Sequence, residues 1–377
     1  MRILYVEPFE AGSHARFTHA LTTGVAAEWT KITLPGRHWK WRMRGAAPWV
    51  ALAGTEATAE TAEPFDLVWA SSFVNLAELV GLLPQLAHVP RVLFFHENQF
   101  AYPEQERDSG ARFDLDFGYV QMVSALAADR VVFNSTWNRD SFLDGAELLL
   151  ARMPDAVPPG WVAKLRARAT VLAVPMDLAE VPDTAFDDTP TADERALGPI
   201  IVWNHRWEHD KAPEEFFAAL ARLAGEDIPF RVAVCGQRFR KEPAVFETAR
   251  AALGERIVHW GTAPTRAEYE TLLGRAHIAI STARQEFFGL ALLEAVWHGA
   301  RPLAPARLSY PELLPAADLY ADPDDLVRRL AALCRAWSAG EIRLRDDRRD
   351  IVEEHRTATL LPRYERLIRE TISRTTP

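Results

Sequence analysis

Short apolar runs with strand character alternate along the chain with segments whose apolar residues recur at helical spacing. In the first half the strand runs are ILYVE (3–7), KITL (31–34), DLVWA (66–70), RVLFF (91–95), RVVFN (130–134) and TVLAV (170–174). Helical patterns such as NLAELVGLL and FGYVQMVSALAAD lie between them. A polar, acidic, proline-bearing stretch, 179–199, reads as a linker. The alternation then starts again with IIVWN (200–204), FRVAVCG (230–236), RIVHW (256–260), IAIS (278–281) and RPLA (301–304). ATLLPRYERLIRETIS, near the end, is one amphipathic helix. Strand–helix alternation is the signature of parallel α/β units. Two such series predict an α/β chain of two Rossmann-like domains, 1–178 and 200–354, facing a cleft.

Composition leaves this picture intact and narrows the setting. The 377 residues are 48% apolar and 25% charged, as in an ordinary globular protein of two-domain size. The opening MRILYVEPFE has an apolar run too short for a signal peptide, and no run is long enough to span a bilayer. Cys235 and Cys334 are far apart and lack metal-like spacing, so a reduced, cytoplasmic protein is expected. A net charge of −9 argues against a general nucleic-acid binder but leaves room for a local basic patch.

Candidate chemistry concentrates in ARQEFFGLALLEAVWHGARP (283–302). Gly289 is a plausible helix start, and Gly299 before Arg301-Pro302 a plausible stop. The helix between is apolar nearly all round, so Glu294 inside it needs a partner. That partner is either an arginine such as Arg284 or Arg301, or a ribose diol, whose hydroxyls a carboxylate accepts. Glu286 falls in the loop after a strand, the usual ligand end of a parallel sheet. The amides behind Phe288, Gly289 and Leu290 would suit a phosphate. Arg206 and Lys211, in NHRWEHDK after the first strand of the second half, add two cations suited to a departing diphosphate. Glycine and small residues from Gly261 to Pro264 offer a place for a base. The bland reading of these charges is a solvated loop and a structural ion pair.

In the first half, His96 opens the loop FFHENQ after a strand, and Asn98 follows it. Gly12 and Ser13, with His14 beside them, form a small-residue loop where backbone can approach a ligand. Arg37, His38, Trp39, Lys40, Trp41, Arg42 and Arg44 make a basic, aromatic run without an acid. Such a run can hold phosphates and stack on bases, or it can be a tryptophan-rich packing corner.

The E-x7-E spacing from Glu286 to Glu294, with Arg206 and Lys211 upstream, resembles the retaining glycosyltransferases of the family 4 type. More narrowly, AGSH, WKWR, SSFVNLAEL, FFHENQ, VVFNSTWN, NHRWEHDK, HWGTAP and ISTARQEFFGLALLEAV are similar to the tRNA-queuosine α-mannosyltransferase family, in order and over most of the chain. Ala11 departs from that family's pattern, which has glycine there, and makes the first loop bulkier. The resemblance implies a GT-B fold, with the last helix (about 355–377) crossing back to the N-terminal domain. It implies transfer of mannose from GDP-mannose to queuosine at the wobble position of tRNA-Asp, with retention and without a metal. By the same resemblance, His96, Glu286, Arg206 and Lys211 are catalytic. Gly12, Ser13, Arg206, Lys211, Gly261, Glu286, Phe288, Gly289, Leu290 and Glu294 bind donor. His14, Arg37, Trp39, Lys40, Trp41, Arg42 and Asn98 bind acceptor. The alternatives are the same chemistry on a glycan, lipid or small molecule, a non-catalytic RNA-binding protein of this fold, and a nucleotide-sugar epimerase.

Overall fold

Runs that are apolar on both faces become strands buried on both faces, which parallel sheets covered by helices require. The computed structural model describes residues 1–52, 64–102, 115–186, 189–238 and 243–375. The chain forms two compact units, Met1–Asp177 with His355–Pro377, and Leu178–Glu354.

In the first unit the strands are β1 (Arg2–Glu10), β2 (Glu28–Pro35), β3 (Leu67–Ser71), β4 (Arg91–Phe95), β5 (Arg130–Phe133) and β6 (Ala169–Val171). They pair in parallel in the order β2-β1-β3-β4-β5-β6. Helices α1 (Gly12–Gly24), α2 (Trp39–Leu52), α3 (Leu76–Leu82), α4 (Leu115–Ala127), α5 (Thr136–Leu150) and α6 (Trp161–Arg168) lie between them in sequence. The order reverses between β1 and β3, and the crevice outside their carboxyl ends is where such sheets bind ligands.

The second unit has strands β7 (Ile200–Trp203), β8 (Arg231–Cys235), β9 (Ile257–Gly261), β10 (Ile278–Ile280), β11 (Arg301–Pro305) and β12 (Leu319–Tyr320), in the order β12-β11-β10-β7-β8-β9. Its helices are α7 (Ala192–Leu197), α8 (Pro213–Gly225), α9 (Val245–Leu253), α10 (Arg266–Arg275), α11 (Leu290–Trp297), α12 (Tyr310–Leu313), α13 (Pro323–Ser338) and α14 (Asp350–Glu353). Here the order reverses between β7 and β10, so the loops after these two strands flank the ligand position.

The last helix, α15 (Thr357–Thr375), belongs to the first unit. Its approach is fixed by a backbone exchange, Met176 N–H to the His355 carbonyl at 2.8 Å and Thr357 N–H to the Met176 carbonyl at 2.9 Å. Tyr364 then packs against Phe17 and Trp69 and donates its hydroxyl to the Ala173 carbonyl at 2.8 Å.

One segment differs from its sequence reading, and another gains an element that the sequence left unassigned. The stretch read as a linker packs on the second unit: Trp297 Nε1 donates to the Ala179 carbonyl at 2.8 Å and Arg349 reaches the Val181 carbonyl at 2.9 Å. Within it, α7 carries a full capping box of Thr191 and Glu194. The basic, aromatic run enters α2 at Trp39, and the helix buries Met43, Ala46, Ala47 and Val50 at helical spacing. Pro48 inside that helix and the crowd of cations around those positions hide the period. The two-residue β12 was too short to read.

Candidate active site

The loop after β7 and the loop after β10 meet at the reversal point of the second sheet. Lys211 is buried there, donating from Nζ to the Gln285 carbonyl at 2.7 Å and pairing with Asp210 at 3.2 Å and Glu286 at 3.3 Å. Burial alone would lower the lysine's pKa, but the Glu286 and Asp210 carboxylates outweigh it and hold the ammonium above the ordinary lysine range. Burial likewise opposes the Glu286 charge, yet Lys211, His205 and the Phe288 amide keep that carboxyl below its ordinary range. His205 completes the cluster. Burial and the neighbouring Lys211 push its pKa down to about 4, and its Nε2 lies 3.2 Å from the Ile280 carbonyl.

The amides before α11 have a different occupant from the expected phosphate. Phe287, Phe288 and Gly289 all aim their N–H groups at Oε1 of Glu286, at 3.1, 3.3 and 3.1 Å. Glu286 thus holds the turn that leads into this helix, and Gly289, its N-cap residue, is free to adopt a left-handed φ of 107°. The Phe288 side chain is buried and its carbonyl accepts from Ser309, while Leu290 is half-buried as the first residue of α11. Arg206 is less fixed than Lys211. Its side chain is half exposed and pairs with Glu208 at 2.9 Å.

Glu294 is 4% exposed on α11, and its partners are not those the sequence offered. Arg284 bonds Glu215 and Arg301 bonds Asp318. Glu294 instead accepts from Arg266 at 2.8 Å and from the Tyr269 hydroxyl at 2.9 Å, both on α10. Asn204, at the end of β7, donates to that hydroxyl at 2.9 Å and to the Ala291 carbonyl at 2.6 Å, tying the three elements together. The long-range choice among arginines depends on which helix packs beside α11, and spacing along the chain carries no record of it. Gly261 ends β9 with a φ of 116°.

In the first unit, Glu7 lies near the carboxyl end of β1 and is fully buried. Its Oε1 accepts from the Phe9 N–H at 2.9 Å and the Ser71 hydroxyl at 3.0 Å. Its Oε2 is 3.1 Å from Nδ1 of His14 and 3.8 Å from Nε2 of His96. The two imidazoles stack with centroids 3.8 Å apart. Burial, then His14, pushes the His96 pKa well below its ordinary value. The sequence reading missed Glu7. The signal was there: an acid closing the buried run ILYVE, seven residues before a histidine.

Other first-unit residues sort into two groups. Gly12, exposed and with a φ of 53°, borders open space, and Ser13 is half-buried beside it. Ala11 is extended, and its Cβ packs on Gly36, so glycine is not needed there. Asn98, expected at the acceptor, is fully buried. It donates to the Asn138 carbonyl at 3.1 Å and to Ser141 at 2.9 Å, and it accepts from the Phe100 and Ala101 amides. It braces the loop that carries His96 and leaves nothing to offer a ligand.

The basic run also divides. Trp39 is half-buried against Phe117 and Phe73, and Arg42 reaches back to the Pro35 carbonyl at 3.4 Å. Arg37, His38, Lys40, Trp41 and Arg44 are exposed, although Arg44 lies over Phe117 and 3.7 Å from Asp116. Among the described residues, no helix is long and apolar enough to cross a membrane.

This fold is shared with solved structures at low identity. Sucrose-phosphate synthase from Thermosynechococcus elongatus is 16% identical, with a TM-score of 0.71 over 99% of this chain and 100% of that one. Anabaena HepE in complex with UDP and glucose is 14% identical, with a TM-score of 0.67 over 98% of this chain and 100% of that one. The fold is that of the GT-B glycosyltransferases. Residues 192–355, which carry Lys211, Glu286 and Glu294, match the family described as glycosyl transferases group 1, so the chain is a glycosyltransferase.

Its family is defined more narrowly by the other half. Residues 2–176 match the family described as tRNA-queuosine alpha-mannosyltransferase N-terminal. The tRNA-queuosine alpha-mannosyltransferase of Drosophila melanogaster is 36% identical over 342 residues, 88% of this chain and 87% of the relative. The chain belongs to the tRNA-queuosine alpha-mannosyltransferase family.

Proposed function

We propose that this enzyme transfers mannose from GDP-mannose to queuosine at the wobble position of tRNA-Asp, with retention of configuration, in the cytoplasm. The observation that carries the reading is the family match over residues 2–176, because it extends the likeness to the half of the chain that would receive the acceptor. In this reading Lys211 and Arg206 neutralise the leaving diphosphate, Glu286 holds sugar hydroxyls and Glu294 holds the ribose. Gly12, Ser13, Gly261 and the backbone at Leu290 complete the donor contacts. His96 stands near the anomeric carbon. The departing phosphate oxygen accepts the proton of the acceptor hydroxyl as the new glycosidic bond forms on the same face, so no protein nucleophile or metal takes part. The exposed face of α2, with Lys40 and Trp41, and Arg37 just before it, would meet the tRNA through phosphate contacts and stacking.

Purified protein incubated with queuosine-containing tRNA and a panel of nucleotide sugars tests this directly. A hexose added to the queuosine nucleoside with GDP-mannose alone supports the reading. Transfer only from another nucleotide sugar, or only to an acceptor other than tRNA, sinks it.

A further inference from the structure

Glu7 and the two stacked histidines have more order than a packing role requires. Oε1 of Glu7 is committed to the Phe9 amide and the Ser71 hydroxyl, which ties β1 to β3 at the reversal point of the first sheet. Oε2 faces Nδ1 of His14. With Oε1 already accepting twice, Oε2 is placed to accept from Nδ1 of His14, and in that arrangement Nε2 is the ring nitrogen left to act as an acceptor. The ring is clamped as well, stacked on His96 and set edge-on to Phe9 at 5.6 Å. The His96 carbonyl is pinned by Asn134 at 2.8 Å, so the stacking partner is itself held. Nε2 of His96 is buried without a hydrogen-bond partner, so the cluster holds a polar atom that a ligand could satisfy.

We propose that Glu7 is a positioning residue of the transfer reaction: it fixes His14 as the Nδ1–H tautomer and so presents Nε2 of His14 as an acceptor to a hydroxyl of the nucleoside acceptor. This role rests on the proposed function. The three side chains also bring their ligand atoms within 4.8 Å of one another, close enough to consider a shared metal ion. The ring geometry opposes that. Imidazoles on one zinc at about 2.0–2.1 Å splay apart around a tetrahedral centre, whereas these rings lie nearly face to face, 27° apart in plane.

Glu7→Gln tests the role because the amide's orientation is forced. The Phe9 N–H demands the carbonyl oxygen, so the amide NH2 must face His14 and drive its proton to Nε2. Ring-nitrogen NMR should show His14 protonated at Nδ1 in the wild type and at Nε2 in the variant. The KM for queuosine-containing tRNA should rise and kcat fall, together about 10- to 100-fold, the cost of reversing one buried hydrogen bond. GDP-mannose affinity should be retained, and Glu7→Asp should recover part of the loss. An Nε2–H tautomer in the wild type overturns the proposal, even if the variant does not fold. So does a reversed tautomer with unchanged kinetics, or stoichiometric zinc in the purified protein that is lost with His14→Ala. If the wild type transfers no sugar to this tRNA, the functional reading fails first; if it does and Glu7→Gln matches it, the positioning role alone fails.

Discussion

Nζ of Lys211 lies 3.3 Å from Oε2 of Glu286, with the lysine side chain 9% and the glutamate side chain 19% exposed. Removing either partner leaves the other charge stranded in a poorly solvated place. Lys211→Ala should therefore cost about 3 kcal/mol of stability, the lower end for a broken buried pair because Glu286 keeps its three backbone amides. Urea denaturation measures this. The same variant should lose about 100-fold or more in kcat/KM if Lys211 neutralises the leaving diphosphate. Unchanged GDP binding by calorimetry would remove Lys211 from the donor site.

Glu294 raises a competition. Arg266 occupies its Oε1 but is itself 43% exposed. If the ribose is the true ligand of Glu294, Arg266→Ala should leave GDP affinity equal or improved. Its stability cost should stay within about 1 kcal/mol, as for a partly exposed ion pair. Glu294→Ala should weaken GDP binding about tenfold or more, since two charge-assisted hydroxyl contacts are lost. A fall in GDP affinity on Arg266→Ala as large as that on Glu294→Ala would make the arginine the ligand instead.

His205 gives a pH dependence whose sign is fixed. Its folded pKa of about 4 lies below the ordinary 6.5. Between these values the unfolded chain binds the proton and the folded one does not, so stability is full above pH 6.5 and falls as pH drops toward 4. The loss is on the order of 3 kcal/mol. Lys211, Glu286 and Asp210 are the charged groups that act on the ring. Thermal melts of His205→Gln should be flatter than wild type between pH 6.5 and 4.5; parallel curves would show that the ring is not buried neutral.

Two positions on α2 separate surface from core. Trp41 is 65% exposed and lies over Gly45, whereas Met43 is 1% exposed. Trp41→Ala should change stability by no more than about 0.5 kcal/mol and weaken tRNA binding by roughly 1 kcal/mol or more if a base stacks there. Met43→Ala should cost about 2–5 kcal/mol. Equal tRNA affinity of Trp41→Ala and wild type, measured at one salt concentration, would leave this face without a role in RNA binding.

The sequence by itself determined the strands, because a strand buried on both faces must be written as an apolar run, and nine of the twelve strands among the described residues end within a residue or two of such a run. It also set out which groups could act, since Lys211, Glu286, Glu294, His14 and His96 sit at strand ends or in the helix where the alternation places them. Only the tertiary structure decided their partners. Which arginine reaches Glu294, which carboxylate pairs with Lys211, and that Glu7 grips His14 all depend on strand order and helix packing. Such contacts join residues 7 to 75 positions apart, and a one-dimensional pattern has no term for that distance. Asn98 makes the same point in reverse: it looked available beside His96, and packing spent every hydrogen bond it had on holding the loop.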